Sequence, residues 1–311
     1  MSLQLPVVEP LERALFLRSV DLFRDLRARE LALLAQLMNE QWLKRGSVLH
    51  EAGQRVRSMQ FVIEGAIRRE HGDAGPVEGP AVVGVLEALA HAETRTRAVA
   101  DTNVLALVIE PGAFFEVLED HFEIVLCLRR ALAREIEARG GLSVGPPEPL
   151  PPIDESTPAR SAALVRQLLA MHRSIVLREF GIGVLASIAR AGVEVHLDAG
   201  EILWEPGGAP EYFALVEQGE VSCQGGQSAF RAGPGAILGL ESALCPVMHT
   251  GKAMAESDTV FTRIDVTALL DVAEDHPHVA SAILAFGARQ VLHAPGAGES
   301  EPAVRPPEES S

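Results

Sequence analysis

The strongest constraint on this chain is that its first half is written again in its second. Residues 11–65 set against 165–219, at a constant offset of 154 and with no gap, give thirteen identities in 55 pairs. Unrelated segments of ordinary composition would share roughly four. The shared positions include Leu15/Leu169, Leu31/Leu185, Ala35/Ala189, Gly46/Gly200, Leu49/Leu203, Glu51/Glu205, Gly53/Gly207 and Gly65/Gly219. Further on, Glu119-Asp120-His121 matches Glu274-Asp275-His276 at an offset of 155. A repeat this long is a whole domain, not the unit of a short solenoid.

Each copy begins with apolar residues at helical spacing, Leu11, Leu15, Leu22, Phe23 and Leu26, then Leu31, Leu34, Ala35 and Met38 in the first. From Trp42 the period shortens to β-like segments, Val48–His50 and Met59–Ile63, cut by Gly46, Gly53 and Gly65. Glycine between short strands marks tight turns that need positive φ. Strands of that length favour a compact roll or barrel, and one-sided helices then pack against it. A helix is expected from about Gly112 to Arg139, with Phe114, Phe115, Leu118, Phe122, Val125, Leu126 and Leu132 as its stripe. Residues 140–161 are rich in Gly and Pro and read as a linker. The division is then an arm at 1–10, domains at 11–139 and 162–293, and a polar tail at 294–311. The fold class expected is mainly β with flanking α-helices, as two tandem β-rolls of jelly-roll type.

With 27 basic against 43 acidic residues the net charge is −16, which repels a phosphate backbone, so nucleic acid is not expected as a partner. Arg24, Arg27 and Arg29 with Lys44 and Arg45 read as a solvated face. Cys127, Cys223 and Cys245 are odd in number and far apart. They suggest neither a disulfide framework nor a zinc site, but small core side chains. The N-terminal residues lack the pattern of a signal peptide, and no window approaches 18 apolar residues. A soluble, cytoplasmic protein with no membrane partner is expected.

The duplicated stretch that could carry chemistry is Val82–Thr102 and its copy Leu238–Thr259. In each, a glycine leads into a short helix, Leu86–Leu89 in the first, whose backbone N–H groups could hold an anion. The segments 43–67 and 197–221, with their flanking helices, resemble the cyclic-nucleotide-binding domain family, which includes bacterial catabolite activators and regulatory subunits of cyclic-AMP-dependent protein kinase. The likeness covers about 11–139 and 162–293. It implies a phosphate-binding cassette in which a Gly-Glu-Leu-Ala-Leu helix start holds the phosphate and ribose, and an Arg after a short spacer pairs with the phosphate. Gly84 and Gly239 match the cassette glycine. Val85 and Leu240 stand at the acid position, and Ala92 and His249 at the base position, so both polar anchors are absent from both copies.

The resemblance leaves a candidate ligand set: Gly84, Val85, Leu86, Glu87, Arg95 and Thr96 in the first copy, and Gly239, Leu240, Glu241, His249, Thr250 and Lys252 in the second. Glu87 and Arg95, or Glu241, His249 and Lys252, would be the substitute anchors. No cofactor is expected, a cyclic nucleotide being the one candidate ligand. Gly181-Ile182-Gly183-Val184-Leu185-Ala186 has the GxGxxA form of a dinucleotide turn, but the equivalent Arg27–Ala32 lacks both glycines. His276 and His278 read as a helix start. With no triad, P-loop or HExxH pattern, an enzyme is not expected. The leading expectation is a regulatory protein with degenerate or repurposed pockets that works through protein contacts. The alternative is a sensor of a cyclic nucleotide or other small anion with a non-standard pocket. A transcription regulator would carry a helix-turn-helix where only 295–311 follows. Helices in 112–139 or 264–293 are the candidate homodimer contacts.

Overall fold

A computed structural model describes residues 8–70, 76–142, 159–174, 176–225 and 228–294. The described chain forms two compact units, one of residues up to 135 with those from 287 on, the other of residues 136–286.

The first unit opens with α1 (Pro10–Ser19) and α2 (Ala28–Leu37). Pro10 stands at the first helical position, where its missing N–H costs nothing, and Glu9 with Glu12 forms a capping box. Arg13 ties α1 to the roll: its guanidinium donates to Glu40 at 2.7 Å and to the Met38 carbonyl at 2.6 Å. The strands are β1 (Asn39–Leu43), β2 (Val48–His50), β3 (Met59–Glu64), β4 (Ala66–Glu70), β5 (Val77–Glu78) and β6 (Ala81–Val83). The short helix α3 (Val85–Leu89) then leads to β7 (Arg97–Ala100) and β8 (Val104–Ile109). Two four-stranded antiparallel sheets result, in the orders β1-β8-β3-β6 and β2-β7-β4-β5. Their inner faces meet in a core of Val62, Ile67, Ala81, Val83, Ala98, Ala100, Val104 and Ala106. Phe23, Phe61 and Phe114 form a chain of rings at 5.8 and 6.2 Å that joins the helices to the roll.

The single helix expected over 112–139 is two, α4 (Pro111–Asp120) and α5 (Phe122–Ala138). His121 leaves helical geometry at φ −134°, ψ 75°, and its carbonyl accepts from the Ile124 N–H to start the next helix. An apolar stripe continuous across the break concealed it.

The second copy repeats this order: α6 (Ala159–Arg173), a 3-10 turn at Leu177–Glu179, α7 (Ile182–Arg190), β9 (Val193–Leu197), β10 (Ile202–Trp204), β11 (Tyr212–Gln218), β12 (Val221–Gly225), β13 (Ser228–Ala232) and β14 (Ile237–Leu238). Next come α8 (Leu240–Leu244), β15 (Gly251–Ala255), β16 (Thr259–Asp265), α9 (Val266–Asp275) and α10 (Pro277–His293). Its sheets run β9-β16-β11-β14 and β10-β15-β12-β13, the same topology strand for strand. Even the bulges recur, between Val62 and Glu64 in β3 and between Val216 and Gln218 in β11. Gln167 on α6 donates to Glu217 and Thr262 at 2.9 and 3.0 Å, docking the helix on the second roll.

Gly181 precedes α7 with an ordinary φ of −62° and follows a 3-10 turn where a dinucleotide site needs a strand. Cys127 and Cys245 are buried, and Cys223 packs on the second core, where burial pushes its thiol up to about 11. Among the described residues no helix is long and apolar enough to cross a membrane.

Gly65 and Gly219 have φ of +99° and +84°, and a Cβ on either would sit 2.4 Å from a backbone carbonyl, of Asn103 or Asp258. Gly65→Ala and Gly219→Ala should each destabilise their own unit by at least about 2 kcal/mol in urea unfolding. Gly112→Ala in the first turn of α4, where nothing lies within 4 Å, should be neutral or stabilise by about 0.5–1 kcal/mol.

Candidate functional site

The expected glycine-to-helix turn is formed in both units, at the point where the last strand before the short helix turns into it; the space above it is termed the cradle. Gly84 caps α3 at φ +83° and Gly239 caps α8 at φ +77°, a left-handed conformation that glycine adopts without strain. The first helical residues, Val85 and Leu240, are buried, as is Leu86.

The glycines also permit a close approach. A Cβ at Gly84 would lie 2.8 Å from His50 Nε2 and 3.1 Å from a Val56 methyl. His50, from β2, is buried, and its Nε2 has no hydrogen-bond partner. Burial lowers its pKa, an effect the neighbouring Gln60 side chain partly offsets and Arg69 reinforces. Glu87 Oε2 on α3 is likewise buried without a partner.

In the second unit the same place is occupied by rings. A Cβ at Gly239 would lie 3.2 Å from Trp204 and 3.5 Å from His249. Trp204, from β10 and at the repeat position of His50, stacks on His249 with centroids 4.4 Å apart and planes 11° from parallel. Tyr212 packs edge-on against Trp204 at 5.9 Å and donates its hydroxyl to the Leu203 carbonyl. Burial lowers the His249 pKa and raises that of the Glu241 carboxyl, so each is held toward its neutral form.

The backbone corrects one equivalence. The His249 carbonyl accepts from Gly207 N–H at 2.7 Å, and its own N–H donates to the Gly208 carbonyl at 3.0 Å. In the first unit Thr94 makes this pair of bonds, to Gly53 and Gln54, at 2.8 and 2.9 Å. Thr94, not Ala92, is therefore the counterpart of His249. The offset is 154 through Ile67/Val221, which pair with Ala100 and Ala255, and 155 from Gly84/Gly239 on. One extra residue thus enters between β12 and Gly239, where the sequence alone leaves the alignment open. Thr94 is buried, and its hydroxyl donates to the carbonyls of Glu51 and Gln54.

The remaining expected residues are spread around the cradle. Arg95 is exposed, Thr96 is half-buried and Thr250 is exposed. Lys252 lies 3.7 Å from Glu205, and in the first unit Arg97 pairs with Glu51 at 3.0 Å and with Glu70 at 3.0 Å. Lys252 and Arg97 occupy the same repeat position, as do Glu205 and Glu51. The sequence reading missed His50 and Trp204, although identities at Leu49/Leu203 and Glu51/Glu205 bracket that position. Because the two residues differ, no repeat signal marked them.

Residues 194–276 match a family model described as cyclic nucleotide-binding domain. No curated protein matches the chain. Among solved structures, a regulatory subunit of a cAMP-independent protein kinase A from Trypanosoma cruzi bound to guanosine is 14% identical, with 84% of this chain and 85% of that one covered at a TM-score of 0.34. The regulatory domain of Toxoplasma gondii PKA with cAMP is 13% identical, with coverages of 86% and 97% at 0.33. The N-terminal domain of a transcriptional regulator from Streptomyces coelicolor is 21% identical, with coverages of 39% and 88% at 0.35. The chain thus carries a domain of the cyclic nucleotide-binding family at residues 194–276, and its first unit repeats that roll strand for strand.

Proposed function

We propose that this is a non-enzymatic, cytoplasmic regulatory protein of two cyclic-nucleotide-binding-type domains, 11–139 and 162–293, that acts through protein contacts and not through an ordinary nucleotide pocket. One observation carries the reading: the Trp204–His249 stack closes over Gly239 where a ligand would lie. A ligand entering there must break that stack, worth about 0.5–1.5 kcal/mol. It also lacks the family's acid and base, whose charge-assisted hydrogen bonds contribute about 1.5–3 kcal/mol each. Together these weaken a micromolar site by roughly 10²- to 10⁴-fold or more.

A second reading applies to the first unit alone. The buried, unpartnered His50 Nε2 and Glu87 Oε2 favour a small polar ligand in a non-standard pocket there.

Calorimetry of the full chain with cyclic AMP, cyclic GMP and a cyclic dinucleotide separates these readings. The main reading expects no binding tighter than about 100 μM. Low-micromolar binding that His50→Gln abolishes would establish the second, and low-micromolar binding that Trp204→Ala or His249→Ala alters would sink the first.

The closed cradle also has a pH signature. A histidine whose folded pKa lies below its unfolded value supports folding fully above about pH 6.5. That support is lost as pH falls from there toward the folded pKa. Glu241 acts with the opposite sign, since its raised folded pKa favours the fold as pH falls. Urea unfolding of the second unit between pH 5 and 7.5 should therefore show a shallower rise with pH in His249→Gln, and a steeper one in Glu241→Gln. Parallel curves for His249→Gln and the parent would mean that His249 is not desolvated.

A further inference from the structure

Away from the cradles, the α1–α2 hairpin leaves a groove of about 470 Å³ lined by Leu11, Ala14, Leu15, Leu31 and Ala32, with Arg18 at its edge. Leu11 and Leu15 are 71% and 57% exposed. Moving by the repeat offset of 154 reaches Val165 and Leu169 on α6 and Ile182 and Ala186 on α7. There Val165, Leu169 and Ile182 are 43%, 47% and 75% exposed. Scattered exposed apolar residues need no explanation. The same face left open on both hairpins, in copies that share only thirteen of 55 positions, does.

Charge distinguishes the second hairpin. Residues 164–190 carry four arginines, Arg166, Arg173, Arg178 and Arg190, against the single acid Glu179, in a chain with 43 acids to 27 bases. All four arginines are exposed, and among the described residues none is ion-paired. Among the described residues the first hairpin leaves only Arg18 and Arg27 without an ion pair and pairs Arg13 with Glu40, Arg24 with Asp21 and Asp25, and Arg29 with Glu30 and Glu123.

We propose that the α6–α7 face binds an amphipathic helix of a partner protein, apolar on one side and acidic along its flanks. Two packed helices offer a third one a groove, and small residues such as Gly183 and Ala186 let it come close. α7 has nine residues, about 13 Å, which suits two to three turns of a ligand helix. A second copy of this chain is disfavoured, because face on face would oppose the arginines. So is an anionic bilayer, which the remaining acidic surface repels, whereas a single helix reaches only this face. The inference says where the protein contact of the proposed function would fall. It uses no cradle residue, so a nucleotide-binding result would overturn that reading and leave this one standing.

The test is selection of random peptides of about 14 residues against the full chain. The winners should carry apolar residues at i, i+3 or i+4 and i+7, flanked by Asp or Glu, and should bind more weakly as salt rises. Leu169→Glu and Ile182→Glu should each reduce the affinity of the best peptide by about tenfold or more. Both sites are exposed, so urea unfolding of the free variants should match the parent. No winners, winners without acidic flanks, or affinities indifferent to both variants would overturn the proposal. So would a dimer in sedimentation that Ile182→Glu dissolves, or binding to phosphatidylserine vesicles that the variants abolish.

Discussion

Each roll depends on one corner where the chain changes sheets twice. At Gly65 it passes from β3 to β4, and at Asp101–Asn103 it returns from β7 to β8, so two backbone crossings press together. The Asp101 N–H donates to the Ala66 carbonyl at 2.8 Å, and the Ala66 N–H donates to the Thr102 hydroxyl at 2.9 Å. The second unit repeats the bonds, Glu256 N–H to the Glu220 carbonyl at 2.8 Å and Glu220 N–H to the Ser257 hydroxyl at 3.1 Å. Only glycine fits, since a Cβ would meet the facing carbonyl at 2.4 Å. With the corner set, β3 pairs β8 and β4 pairs β7, and the two inner faces close on the core.

The cradle follows from that closure. β2 and β10 lie on the second sheet next to β7 and β15, and their last residues, His50 and Trp204, reach the left-handed glycine before the short helix. Both units use the same backbone room, but fill it differently. In one a histidine is buried with an unpaired nitrogen; in the other an indole and an imidazole stack. An unpaired buried nitrogen is costly and invites a partner, whereas a stacked pair is self-sufficient. The two copies therefore differ in what they leave open to a ligand, although their topology is the same.

Much of the fold was legible because its signals are local. Gly46, Gly53 and Gly65 with their copies marked turns, and periodicity located the helices that flank the roll. The helix break at His121 was not legible, since the apolar stripe runs through it. The sequence places Ala92 opposite His249 because a one-residue length difference between β12 and Gly239 shifts the alignment without changing the pattern. Two backbone hydrogen bonds across the loop, made by Thr94 in one unit and His249 in the other, identify Thr94 as the counterpart.

By itself, the sequence determined that this chain is a duplicated roll with turns at defined glycines, and that apolar Val85 and Leu240 follow the glycines before the two short helices. Those are matters of residue type and spacing. Only the tertiary structure decided that His50 and Trp204, some 35 residues before their glycines, come to lie over them, and that His249 completes a stack. Contacts between residues so distant depend on how two sheets close, and no local pattern encodes that.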